Sequence, residues 1–177
     1  MKVLALSGSL RAASKNTALL RAIAQIAPRD ITVELYHDLG KLPLFNPDLE
    51  SDRPQSVISL AAKLTNADAV LIASPEYAHG VTGAIKNALD WMVGTEVFIN
   101  KPVAVLNASP RAVHAHESLK ETIKVMSGLV IEKASITLPI VGSDLDEAAM
   151  VADPFISKAI IEAMDSLQDI AKNYRQC

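Results

Sequence analysis

Residues 7–17 read Ser-Gly-Ser-Leu-Arg-Ala-Ala-Ser-Lys-Asn-Thr, hydroxyls and an amide around one glycine and one arginine. They lie between an apolar run and a helical pattern. At such a strand–loop–helix start the first backbone N–H groups of the helix lack partners, and the helix dipole adds roughly half a positive charge. Arg11 adds a full one. This is a place for an anion.

The loop lacks the Gly-Lys-Ser/Thr ending of the nucleotide-hydrolase P-loop and the G-x-G-x-x-G of the dinucleotide fingerprint. It suits one terminal phosphomonoester, as in a mononucleotide. Ser9, Ser14, Asn16 and Thr17 each offer a side-chain donor to a phosphate oxygen. The plainer reading makes Ser14 or Asn16 a helix cap. Capping alone does not call for Gly8, Ser9 and Arg11 as well.

A second segment, residues 74–83, reads Ser-Pro-Glu-Tyr-Ala-His-Gly-Val-Thr-Gly. Its proline, tyrosine and two glycines shape a wall for a flat ligand, whose heterocycle edge can bond to backbone groups. Glycine at 80 or 83 removes a Cβ from the approach. A third segment, 107–116, carries Arg111, His114 and His116. Arg111 could stabilise negative charge on a ligand or meet phosphates; a solvated surface arginine is the plain alternative. His114 and His116 lack a third and fourth ligand at known spacing, so no metal site is expected.

The elements that would position these loops follow from apolar patterning. Residues 3–6, 31–36, 69–73, 103–107 and 129–138 read as five strands. Most are continuous Val/Ile/Leu/Ala runs, the mark of strands covered on both faces. Helical stripes separate them: Leu19, Leu20, Ile23 and Ile26; Val57, Leu60, Ala61 and Leu64, with Pro54 in the first turn; Ala84, Ile85, Ala88, Leu89 and Met92; a segment near 115–126; and Ile156, Ile160, Ala163, Leu167 and Ile170. Five strand–helix repeats specify an open α/β fold, a parallel sheet with helices on both faces. Its leading order is the flavodoxin-like 2-1-3-4-5. Ligands in such sheets bind beyond the strands' carboxyl ends where the winding reverses, so the loops after strands one, three and four matter. The stretch 37–53, with Pro43, Asn46 and Pro47, is expected as an ordered surface loop near the site.

Composition bounds the rest. The chain has 177 residues, 50% hydrophobic with 4% aromatic, so a single domain over 1–177 with an aliphatic core is expected. A net charge of −3 with dispersed signs gives no case for nucleic acid or an anionic membrane. The lone cysteine, Cys177, excludes an internal disulfide and a multi-cysteine metal site. With a strand at the N-terminus and no long apolar run, a cytoplasmic protein is expected.

The segments GSLRAASKNTALL and SPEYAHGVTGAIKNALDW resemble the NADPH-dependent FMN reductases, a family that includes quinone, chromate and azo-dye reductases. The resemblance implies tightly bound FMN, NADPH or NADH as electron donor, and homodimers or homotetramers with small-molecule acceptors. It assigns the FMN phosphate to Ser9, Arg11, Ser14, Asn16 and Thr17, and the isoalloxazine to Pro75, Glu76 and Tyr77. The chain departs from the family at Ala78, where relatives commonly carry asparagine, and over 107–116, where many have a glycine-rich stretch. No acid–base residue is required, since the cofactor carries the reaction. The competing functions are a flavodoxin-like electron carrier and a flavin-free mononucleotide-handling enzyme on the same fold.

Overall fold

The computed structural model describes residues 1–174, so Cys177 lies outside the described residues. The first apolar run forms β1 (Lys2–Ser7), buried from Val3 to Leu6, and the chain enters α1 (Lys15–Ile26). Then come β2 (Thr32–Tyr36), two short 3-10 turns (Leu39–Lys41 and Pro47–Asp52) and α2 (Gln55–Asn66). Pro54 sits one residue outside α2, at its N-cap. Next are β3 (Ala69–Ala73), a tight hairpin β4 (Glu76–Tyr77) and β5 (Gly80–Val81), and α3 (Gly83–Val93). The chain continues through β6 (Pro102–Leu106), α4 (Val113–Val125), β7 (Leu129–Val130), α5 (Glu147–Ala152) and α6 (Pro154–Tyr174).

The main sheet is parallel with order β2-β1-β3-β6-β7. With the small hairpin set aside, this is the expected 2-1-3-4-5. The reversal falls between β1 and β3, where Ser7 pairs with Ala73 in the last register position. Alternate residues of each strand point to opposite faces. Val3, Ala5, Leu71 and Ala104 pack with α1 and α6 residues such as Leu20, Ile23, Ile160 and Leu167. Leu4, Leu6, Val70, Ile72 and Val105 pack with Leu60 of α2, Ile85 and Leu89 of α3 and Ile123 of α4. Each Val, Leu or Ile side chain among them, fully buried, stabilises the fold by ~1.5–3 kcal/mol before entropy is set against it.

The structure corrects the last strand. The apolar pattern predicts 129–138, yet β7 ends at Val130. The chain turns there, with the Ala134 and Ser135 amides donating to Ile131 O. Ser135 Oγ takes the β6 partner's place, accepting from Val105 N at 3.0 Å. Contact resumes where Asn107 bridges Thr137. Glu132 is drawn off the sheet to pair with Lys120 at 2.7 Å, and that bond holds its carboxyl below the usual range.

The 37–53 stretch is ordered as expected, in part through Asn87, which the sequence left without a role. Asn87 of α3 accepts from Phe45 N–H at 2.8 Å and donates to Pro43 O at 3.0 Å. Trp91 donates to the same carbonyl at 2.8 Å and meets Phe45 edge-on. Asn87→Ala therefore strips two bonds from one loop, one of them to a half-buried amide. The expected loss is ~1–3 kcal/mol of unfolding free energy, read as a lower urea midpoint at unchanged slope.

Candidate functional site

Loop one, residues 8–14, crosses the carboxyl end of the sheet directly at the reversal. Gly8 N–H donates to Ala73 O at 2.8 Å, which ties loop one to the end of β3. A Cβ on Gly8 would stand 2.3 Å from Ser74 Oγ and 2.8 Å from Ile85 Cγ1. The glycine is required by this contact between loops. Leu10 reaches across to Gly40 in the first 3-10 turn, so the 37–53 stretch borders the site.

The donors expected from loop one divide into two sets. Ser14 caps α1, its Oγ accepting from Thr17 N–H at 3.2 Å, and its own hydroxyl proton is left to donate. The Thr17 hydroxyl pairs with Ser7 Oγ at 2.7 Å. Ser9 Oγ and the Arg11 guanidinium make no bond within the described residues, and Arg11 is exposed. Asn16 is only 4% exposed, and its Oδ1 has no partner. That orphaned oxygen accepts from a hydroxyl, while the Nδ2 of the same amide keeps its two donors for a phosphate oxygen.

The opposite wall is the β4–β5 hairpin. Glu76 pairs with Val81 and Tyr77 with Gly80 around a two-residue turn at Ala78 and His79. Those two residues have φ of 49° and 60°. The Glu76 carboxylate leaves the cleft and accepts from Ala115 N–H at 2.8 Å, supplying the cap that Ala112 cannot give α4. Only the Glu76 backbone is left to line the wall. Pro75 is half-buried, while the Tyr77 ring is 63% exposed. At Gly83, where α3 begins, no atom stands within 4 Å of an added Cβ, so the approach is open.

Loop three, residues 107–112, is shaped by one buried residue that sequence reasoning did not single out. Asn107 donates through Nδ2 to Ala112 O and accepts through Oδ1 from Ser109 N–H, both at 3.0 Å. An asparagine at a strand end two residues before a Ser-Pro pair is the signal that could have found it. Arg111 stands exposed beyond it, with its guanidinium unpaired within the described residues. Ser9, Arg11, Ser14, Asn16, Thr17, Pro75, Glu76, Tyr77 and Arg111 thus all lie on loops, helix starts or the short β4–β5 hairpin that follow the carboxyl ends of the strands. They form two walls across the β1/β3 reversal, with Arg111 at the third side.

Comparison with known proteins places this arrangement. The family described as NADPH-dependent FMN reductase matches residues 1–140. An NAD(P)H-dependent FMN reductase of Pseudomonas aeruginosa is 30% identical over 174 residues, covering 95% of this chain and 94% of that protein. A 2-hydroxy-1,4-benzoquinone reductase of Burkholderia is 37% identical over 116 residues, 64% of this chain and 63% of that protein. The solved structure of FerB, a flavoenzyme NAD(P)H:(acceptor) oxidoreductase from Paracoccus denitrificans, superposes with a TM-score of 0.81 at 30% identity, covering 97% of both chains.

Arg11 is the one full positive charge on loop one, free and beside the α1 N-terminus. Arg11→Ala is expected to weaken FMN binding by ~1.5–3 kcal/mol, the scale of a charge-assisted hydrogen bond. Quenching of flavin fluorescence on titration measures it.

Proposed function

The chain belongs to the NADPH-dependent FMN reductase family, and from that premise we propose that it holds FMN across the β1/β3 reversal and passes two electrons from NAD(P)H to quinones or similar small acceptors. The relatives named as reductases support this reading over an electron carrier. The single observation that carries it is the Gly8 N–H bond to Ala73 O, which brings loop one and the chain leaving β3 to the same point of the reversal as two sides of one site. One side is a free arginine over a helix N-terminus, and the other is a backbone wall that opens at Gly83.

The residues fit the cofactor. The Arg11 guanidinium, the Ser9 and Ser14 hydroxyl protons and the first α1 amides are donors for a phosphate. The orphaned Asn16 Oδ1 is an acceptor for a sugar-like hydroxyl. The backbone at Pro75, Glu76 and Tyr77 would lie along the flat ring. When bound, FMN supplies the hydride chemistry between nicotinamide and acceptor. The protein's work is to hold the planes in contact and to keep positive charge near the ring edge where negative charge accumulates. Arg111, on the loop where many relatives carry a glycine-rich stretch, is the candidate either for that second task or for the phosphates of the nicotinamide nucleotide. Chromate and azo compounds fall within the proposed acceptor range, since nothing in the cleft demands one ring shape.

We further propose a homodimer. Val93 of α3 and Val125 of α4 are 63% and 75% exposed and, with Met126, line one groove. Lys86, Asp90 and Glu121 flank it with both signs of charge, an arrangement that complements itself across a two-fold axis. Among the described residues no helix is long and apolar enough to cross a membrane. A cytoplasmic location remains part of the proposal.

Two experiments test these readings. Protein supplemented with FMN and desalted should keep a flavin spectrum that bleaches with NADPH and recovers with quinone. A flavin left oxidised by both nicotinamide nucleotides would restore the carrier reading, and colourless protein would point to a different mononucleotide. Val125→Asp should convert a dimer to a monomer in gel filtration at unchanged helix content; an unchanged elution volume would move the interface elsewhere.

A further inference from the structure

The tip of the β4–β5 hairpin is built against its residues' preferences. A two-residue turn matched to the twist of antiparallel strands needs positive φ at both central positions, which Asn-Gly adopts cheaply. Here the positions are Ala78 and His79, at 49° and 60°. What this backbone positions is the His79 ring. It stacks on His114, with centroids 4.3 Å apart and planes 26° from parallel. Both residues are exposed. Strain held in place at a binding cleft is a pointer to use.

The charges around the pair favour an anion. His114 is the second residue of α4, at the positive end of its dipole. Arg111 stands two residues before that helix with an unpaired guanidinium. The nearest carboxylate by chain position, Glu76, is committed to Ala115 N–H. Glu117, one turn on, pairs with Lys120. His116 is pulled below the usual imidazole range by burial and then by the Lys120 charge. Tyr77 is the remaining titratable neighbour on the hairpin.

We propose that His79 and His114, with Arg111, clamp the 2′-phosphate of NADPH and so select it over NADH. This deepens the reductase reading and rests on it. The two stacked imidazoles and the Arg111 guanidinium offer N–H donors in planar groups, and a phosphomonoester, with three acceptor oxygens and a dianionic charge, is the ligand that uses them. The internal pyrophosphate of a dinucleotide carries one fixed charge per phosphate and offers less. The FMN phosphomonoester is already provided for at α1. A second donor cluster, at α4, serves a second phosphate.

The test uses FMN-loaded protein, with 2′,5′-ADP and 5′-ADP as probes in titration calorimetry. The expected result is ~10-fold tighter binding of 2′,5′-ADP than of 5′-ADP. His79→Asn keeps a residue that tolerates positive φ. That variant and His114→Asn are each expected to bind 2′,5′-ADP ~10-fold more weakly, with 5′-ADP unchanged. The ratio of kcat/KM for NADPH to that for NADH should fall by the same ~10-fold. In the unaltered protein, 2′,5′-ADP should move the His79 and His114 ring proton signals in NMR, whatever the variants do. Equal affinity for the two probes, or ring signals that stay still, overturns the clamp while leaving FMN reduction intact. A protein that retains no FMN overturns the reductase reading, and the clamp with it.

Discussion

The contact on which the site depends is the one at Gly8. Two parallel strands end side by side at the reversal, and the loops leaving them must diverge without opening a hole in the core. The Gly8 N–H bond to Ala73 O fixes one loop to the other strand, and the missing Cβ lets Ser74 and Ile85 close against it. That contact sets where α1 begins, and so where its unpaired amides point. It also sets the start of the wall that runs from Pro75 to the hairpin. A methyl group at position 8 would spread both sides of the cleft, at a cost on the scale of core overpacking, ~1–3 kcal/mol.

The fold was legible because its signals are strong and redundant. Strands β3 and β6 are buried at every residue, and a continuous aliphatic run says so directly. The helix stripes are equally plain. What stayed hidden was structure determined by side chains that act on distant backbone. The apolar pattern of 129–138 does not reveal that Ser135 Oγ will satisfy Val105 N–H and end the strand at Val130. The β4–β5 hairpin was invisible for a different reason. Its strands are two residues long, and its turn carries Ala-His where a recognisable hairpin would carry Asn-Gly. Helix α5, only six residues long, has too few turns to show a period.

The site was legible at the level of loops and less so at the level of atoms. Ser14 was weighed both as a cap and as a ligand donor, and its geometry permits both, since an oxygen that accepts Thr17 N–H still owns a proton. Glu76 shows the opposite outcome. A carboxylate in a cleft segment invites a chemical role, but its oxygen lies on the α4 backbone, where it closes a helix end that Ala112 leaves bare. Asn107 does comparable work for loop three and was passed over because its neighbours drew the attention. In each case the side chain with the most chemical potential is the one spent on holding backbone.

That division bears on the departures the sequence shows from the family's pattern, asparagine replaced at Ala78 and a glycine-rich stretch replaced over 107–116. In the function proposed above, flavin recognition falls to loop one and to backbone at Pro75–Tyr77, and depends little on which residues occupy those positions. The proposal puts them at the mouth, where the nicotinamide nucleotide and the acceptor take turns. Ala78, Arg111 and His114 there would leave the cofactor's supports in place and change the charge presented to whatever comes second. Positive charge concentrated at the mouth, with Glu76 and Glu117 each already engaged, draws in anions and speeds their encounter at low salt. The chain's overall net charge of −3 does not oppose this, because screening confines the effect of exposed charges to about 10 Å. On the proposed reading, specificity resides in the turn and the third loop, while cofactor binding resides in the sheet's reversal.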